Sequence, residues 1–212
     1  MICLEFLKDW SKGLISGQYL PITVSVAIAL FLLKEVLEIR RRFLERKRKT
    51  NAAKLLLSQE LEKNHWALVS FFRVLQEIKD AQTSAPNAIF RLQVARDGSE
   101  HYRVKEEPED QDESGGWIAT FRTDTYEKQL ATLAEYDQKL YEIINETYDE
   151  IFELIHYRET LTQFLAGEAM APDDMTQHFL ADLATEKDDY YNEINKGYRA
   201  LTGKDLKEWR LR

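Results

Sequence analysis

Residues 14–33 run for twenty positions without one Asp, Glu, Lys or Arg, and eight cations follow within the next sixteen. A helix of that length rises about 30 Å, roughly the hydrocarbon thickness of a bilayer. The cations are Lys34, Arg40, Arg41, Arg42, Arg46, Lys47, Arg48 and Lys49. A cleaved leader carries its positive charges before the apolar run, and here they come after it. The order predicts a single-pass transmembrane helix at 14–33, with the N-terminus outside and the C-terminal body in the cytoplasm. The competing reading is a buried core helix, because Gln18, Pro21, Thr23 and Ser25 dilute the span. Ahead of it, Ile2, Cys3, Leu4, Phe6, Leu7 and Trp10 recur at roughly helical spacing with Glu5, Lys8 and Asp9 between them, which suits an amphipathic segment over residues 1–13 lying in the interface.

Charge divides the remainder. Residues 1–49 hold ten Lys and Arg against five Asp and Glu, whereas residues 50–212 hold nineteen against thirty-two. An acidic body repels phosphate, so no nucleic-acid partner is expected. The basic neck suits anionic headgroups, at roughly 1 kcal/mol per cation near the surface. Arg40, Arg41, Arg42, Arg46, Lys47, Arg48 and Lys49 are therefore the candidate lipid-binding residues, and membrane lipids the first expected partner. Cys3 is the single cysteine, which rules out an internal disulfide.

From Lys34 to Asp80 there is no Gly or Pro, and a basic juxtamembrane helix over 34–56 should run into a helical body at 57–212. Leu57, Leu61, Asn64, Leu68, Phe71, Leu75 and Ile78 keep a four-three spacing with one polar position. Three heptads suit one helix of a bundle better than a free-standing coiled coil. Residues 89–96 and 99–105 flank Asp97-Gly98, a signal for a β-hairpin with a two-residue turn. Residues 106–113 then carry seven acidic or amide groups, six of them carboxylates, and read with Ser114-Gly115-Gly116 as a solvated loop. Hairpin and loop together occupy 86–116.

Asp124 and Glu127 predict a capping box that opens a long helix running to Leu165. Its buried stripe is Leu130, Leu133, Leu140, Ile144, Ile151, Leu154, Leu161 and Leu165, and Gly167 ends it. A third helix should open at Pro172-Asp173-Asp174 and bury Met175, Phe179, Leu183, Tyr190, Ile194, Tyr198 and Leu201 before Gly203. The fold class expected is mainly all-α: a transmembrane helix continuing into an antiparallel bundle, with a small hairpin insertion around 89–105.

Chemistry is sparse. Glu62/His65 and Glu153/His156 have the Glu-x-x-His spacing of metal-binding bundles, yet both pairs fall beside the apolar stripes, so no metal is expected. Asp110-x-Asp112-x-Ser114-Gly115 copies the start of a calcium loop, but Phe121 stands where a bidentate Glu is needed. Arg96 and His101 match the Arg-x4-His spacing of HEPN-type helical ribonucleases, which use such a pair in acid–base cleavage of RNA. That is a minority reading, because the pair straddles a predicted turn rather than lying at a helix. No triad, zinc spacing or phosphate-binding glycine loop is present, and no catalytic residue or cofactor is assigned.

Three stretches together resemble a scattered set of bacterial single-pass membrane proteins without an established activity. They are Leu57-Ser-Gln-Glu60-Leu61-Glu-Lys-Asn64, Phe121-Arg-Thr123-Asp-Thr-Tyr126, and Tyr141 with Asn145. The resemblance implies architecture: an anchor in the inner membrane, a basic neck and a helical cytoplasmic domain. Asn64 in the seam should hydrogen-bond Thr123 or Tyr126 and set helix register. The first functional reading is a non-enzymatic membrane-anchored protein whose bundle binds a protein partner or self-associates. The alternative is a defence-type effector that disrupts membranes or cleaves RNA.

Overall fold

The computed structural model describes residues 22–84, 88–105, 114–167, 178–179 and 182–207. The chain divides into two compact units, Met1–Arg48 and Lys49–Arg212. It is mainly helical with a small antiparallel sheet. Helix α1 spans Ile22–Ser84, as its long freedom from Gly and Pro predicts. Strands β1 (Ile89–Val94), β2 (Glu100–Lys105) and β3 (Ser114–Trp117) follow, then helices α2 (Asp124–Tyr136), α3 (Gln138–Ala166) and α4 (Lys187–Thr202).

The expected membrane span is not borne out. Of residues 14–33, only 22–33 lie among the described residues, where they form the first turns of α1. No helix among the described residues is long and apolar enough to cross a membrane. The interfacial segment at 1–13 lies outside the described residues.

Within the unit Lys49–Arg212, the heptad seam of α1 is the core. Leu57, Leu61, Asn64, Leu68, Phe71, Leu75 and Ile78 are each at most 1 % exposed, and each fully buried aliphatic chain contributes about 1.5–3 kcal/mol of transfer free energy. Leu133, Leu140, Ile144, Ile151, Leu154, Leu161 and Leu165 complete that core from α2 and α3, with Leu130 half-buried at its edge.

Three expectations need correction here. The helix expected from 124 to 165 is two helices, broken at Asp137 (φ −151°, ψ 75°). The Asp137 carboxylate accepts Leu140 N–H at 3.3 Å, caps α3, and pairs with Lys54 Nζ at 3.2 Å. Tyr126 and Tyr148 would stand about 33 Å apart on one straight helix. Across the break their rings stack at 4.1 Å with planes 10° apart. Second, the last helix does not run unbroken: residues 182–183 are helical, a turn follows at 184–186, and α4 starts at Lys187. The expected start at Pro172 and the Met175 position lie outside the described residues. Phe179, expected inside, is exposed. Gly203 closes α4 in the left-handed region (φ 72°), as expected.

Contacts set the helix directions. Lys54 meets Asp137 and Glu60 meets Tyr148, so α1 and α3 run parallel. Glu146 meets Lys196 and Glu153 meets Tyr190, so α4 runs antiparallel to α3. At that contact Gly197 lies so close to Thr147 that a Cβ there would come 2.5 Å from its Oγ1.

The third correction concerns the β segment. The hairpin forms with β1 and β2 in register from Ile89↔Lys105 to Val94↔Glu100. Its turn holds three residues rather than two. Ala95 N–H donates to Ser99 O at 2.8 Å, Gly98 N–H donates back to Ala95 O at 3.0 Å, and Gly98 has φ 81°. That is a type I turn with a glycine bulge. A third strand was not expected: Ser114–Trp117 pairs antiparallel with β2, with Tyr102↔Gly116 and His101↔Trp117. Gly116 permits this, since a Cβ would sit 3.0 Å from the Tyr102 ring. The sheet packs its Phe90 ring 6.2 Å from Phe164 of α3, while Tyr102 donates to Glu77 of α1.

Candidate functional site

The densest polar constellation is buried where α1, α2 and α3 meet. Glu60 is 4 % exposed and lies one turn before Asn64 on α1. Its Oε2 accepts Thr125 N–H at 2.7 Å and its Oε1 accepts Tyr126 N–H at 3.0 Å. These are the second and third residues of α2, whose N–H groups have no partner inside the helix. A carboxylate at that point also meets the positive end of the helix dipole. Glu60 therefore caps α2 from another helix. The local capping box does not form as expected: Thr123 makes no side-chain cap bond and instead donates to Glu127 Oε1 at 3.1 Å.

Tyr148 of α3 completes the constellation, its hydroxyl donating to Glu60 Oε1 at 2.7 Å. Burial drives the Tyr148 phenol far above its ordinary pKa, and the Glu60 carboxylate adds to the rise. Tyr126 stacks on it and donates to Asn145 Oδ1 at 2.9 Å, while Asn145 Nδ2 donates to Asp149 Oδ2 at 3.1 Å. Asn64 binds neither Thr123 nor Tyr126. It makes a paired amide contact with the main chain of Arg122, donating to its carbonyl and accepting its N–H, both at 2.8 Å. Each buried polar group is thus answered, so the cluster orders three helices without leaving a reactive atom exposed. Its chemistry is positional.

The basic neck belongs to α1. Arg40, Arg41, Arg42, Arg46, Lys47, Arg48 and Lys49 are all exposed, and Arg42 Nε pairs with Glu38 at 3.1 Å. At about 100° per residue these seven positions encircle the helix rather than occupying one face. N-terminal to them, Leu30, Phe31, Leu32 and Leu33 are also exposed around the whole circumference, Leu33 at 56 %.

The remaining candidates are dispersed. Glu62 is exposed and accepts the Tyr198 hydroxyl at 2.8 Å, whereas His65, expected off the core, is buried. Its ring lies 5.2 Å from that of Trp66 and 5.4 Å from that of Tyr191, and its Nδ1 has no partner. Burial lowers its pKa, helped by Lys187. Glu153 and His156 are exposed on α3. With Asp149, Phe152 and Tyr157 they line an open groove of about 390 Å³, and the exposed Phe179 lies 5.5 Å from the Tyr157 ring. No group of three or more His, Cys, Asp or Glu is placed to hold a metal among the described residues. Asp110 and Asp112 of the calcium-like run lie outside them. Arg96 is exposed at the hairpin tip, and His101 sits half-buried on β2 with Nε2 3.2 Å from Ser99 Oγ. Sequence reasoning missed Glu60 and Tyr148 as partners; their signal was only a Glu and a Tyr at core-facing spacings.

No protein-family profile, curated protein or solved structure matches this chain.

Proposed function

We propose that the chain is a membrane-anchored, non-enzymatic interaction protein. Residues 14–33 cross the inner membrane with the N-terminus outside, and residues 40–49 engage anionic headgroups. The helical body lies in the cytoplasm, where it binds a protein partner or a second copy. The observation that carries the reading is the axial order on α1, apolar all round at 30–33 and basic all round at 40–49. A helix lying on a membrane segregates apolar and charged residues to opposite faces. Segregation along the axis, with both zones fully encircled, suits a helix that passes through the headgroup layer. Exposed apolar surface of this extent in water would be an aggregation liability.

The body supports the interaction half of the reading through what it offers a partner. Its polar cluster is consumed in holding helices together, and the groove at Asp149–Tyr157 on α3 shows aromatic rings beside carboxylates. Aromatic-rich, partly open faces are where protein partners bind most readily.

The test is fractionation of the full chain expressed in bacteria. The chain should stay with membranes through an alkaline carbonate wash, and a cytoplasm-active C-terminal reporter should function. Release by carbonate, or a reporter active only in the periplasm, overturns the reading.

A further inference from the structure

Between residues 34 and 46 of α1 only five side chains carry no charge: Val36, Leu37, Ile39, Phe43 and Leu44. All five are exposed, Ile39 and Phe43 at 65 % each. Three of them, with Leu32 ahead, keep a spacing of four, three and four: Leu32, Val36, Ile39 and Phe43. At about 100° per residue these four fall within roughly 60° of one another, a straight seam along one side of the helix. All four are left uncovered by the described residues of the chain.

The width of the seam says what it fits. A helix lying on a bilayer sinks a broad apolar face. A helix packed on a globular core buries a stripe of about 100° or more, whereas a strict four-three seam is the narrower surface that a second helix covers. Charges border this one closely, Arg40 and Lys47 on one side, Glu35 and Arg42 on the other. The borders are self-complementary. When two copies lie parallel and in register, a residue on the Glu35 border meets the opposite border of the other copy in the next layer. Glu35 then faces the second copy's Arg40, twice by symmetry. The same rule sets Arg42 against Lys47, but Arg42 is held by Glu38 of its own chain at 3.1 Å.

Direction follows from the seam's own continuation. The spacing carried back from Leu32 reaches Ala29 and Ser25, and carried on from Phe43 it reaches Arg46. Parallel copies set each position against itself, so six successive layers from Ser25 to Phe43 hold no charge. An antiparallel pair that matches Val36 with Ile39 keeps only four such layers and sets Arg46 against Ala29 at both ends. A cation drawn against an apolar layer is costly.

We propose that α1 pairs with α1 of a second copy of this chain, parallel and in register, through Leu32, Val36, Ile39 and Phe43, with Glu35 and Arg40 joining the copies across the seam. Pairing takes the exposed apolar row out of water. It deepens the function proposed above by naming the second copy as the partner, and it rests on the self-association in that reading rather than on the membrane span.

The experiment uses the full chain with Cys3→Ser, which removes the only cysteine, and adds one cysteine at a time. Whole lysates are oxidised with copper phenanthroline before any fractionation. Val36→Cys and Phe43→Cys should each give a disulfide-linked dimer at roughly fivefold or more the yield of Lys34→Cys and Arg41→Cys, which lie on the far side of the helix. Equal yields at the four positions, or no dimer at 36 and 43, overturn the pairing. Dimer at only one of those two overturns its parallel direction. Glu35→Arg should lower the Val36→Cys yield, and adding Arg40→Glu should restore it. Glu35→Arg without loss, or loss without restoration, overturns the contact between Glu35 and Arg40. The anchor reads out separately: dimer at 36 and 43 in a chain released by carbonate keeps the pairing, and a carbonate-resistant chain without that dimer keeps only the anchor.

Discussion

The Tyr148 hydroxyl and the Glu60 carboxylate, 88 positions apart in the chain, meet at 2.7 Å inside the body. Glu60 spends its other lone pairs on the first turn of α2. One side chain thereby fixes where a second helix begins and where a third lies against it.

Glu60→Ala leaves two helix N–H groups and a buried phenol unanswered, and should cost about 2–4 kcal/mol of stability. Tyr148→Phe, which removes one donor and keeps the ring stack, should cost about 1 kcal/mol. Urea denaturation of both variants and of the double variant checks this. A double-variant loss equal to the sum of the single losses would mean the two residues do not couple.

Asn64→Leu keeps the volume of the seam but strands the N–H and C=O of Arg122. A loss of about 2–3 kcal/mol is expected, against the gain a leucine seam position would bring if the amide were idle. Thermal melting monitored by circular dichroism separates the two, since an unchanged or raised midpoint refutes the paired amide contact.

Gly197→Ala should loosen the contact between α3 and α4, because its methyl would lie 2.5 Å from Thr147 Oγ1. Overpacking of this kind costs about 1–3 kcal/mol. Adding Thr147→Ala removes the opposing hydroxyl and methyl, so the double variant should recover part of the loss. No recovery in denaturant midpoint would place the strain elsewhere.

His65 gives the body a mild acid sensitivity. Burial and the Lys187 charge hold its folded pKa below the usual 6.5, so the unfolded chain takes up the proton first. Stability from this group is complete above about pH 6.5 and falls as pH drops from there toward the folded pKa. Wild type should lose stability relative to His65→Phe as pH falls through about 6.5 and below, measured as urea midpoint against pH. Parallel pH profiles for the two proteins refute the assignment.

The parts of the fold that repeat were legible. Leu57, Leu61, Leu68, Phe71, Leu75 and Ile78 announce a buried seam because helical periodicity is a local property. The β-hairpin was legible for the same reason, from Asp97-Gly98 between apolar runs. Breaks were harder to see. Asp137 sits among Glu, Lys and Gln in a polar stretch where nothing marks it as a cap rather than a surface residue. Strand β3 hid behind Gly115 and Gly116, residues that discourage strands and are needed here because a Cβ at Gly115 would meet the Tyr102 carbonyl oxygen and one at Gly116 the Tyr102 ring. His65 was read as lying off the core, and Glu60 was given no partner, because a charged or ionisable side chain rarely goes inside unless paired, and pairing across 65 or 88 residues leaves no local trace. The two short motifs Leu57–Asn64 and Phe121–Tyr126 marked the right neighbourhood: Glu60, Asn64, Arg122 and Tyr126 all converge in the polar cluster.

The borrowed cap on α2 also bears on the order of folding. A helix with its own capping residue can begin locally, whereas the first turn of α2 waits for a carboxylate some 65 residues earlier. Closing so long a loop before the helix is secured makes α2 a late element and ties its formation to α1 and α3. Loosening α1 at Glu60 therefore also uncaps α2, some 65 residues further along the chain.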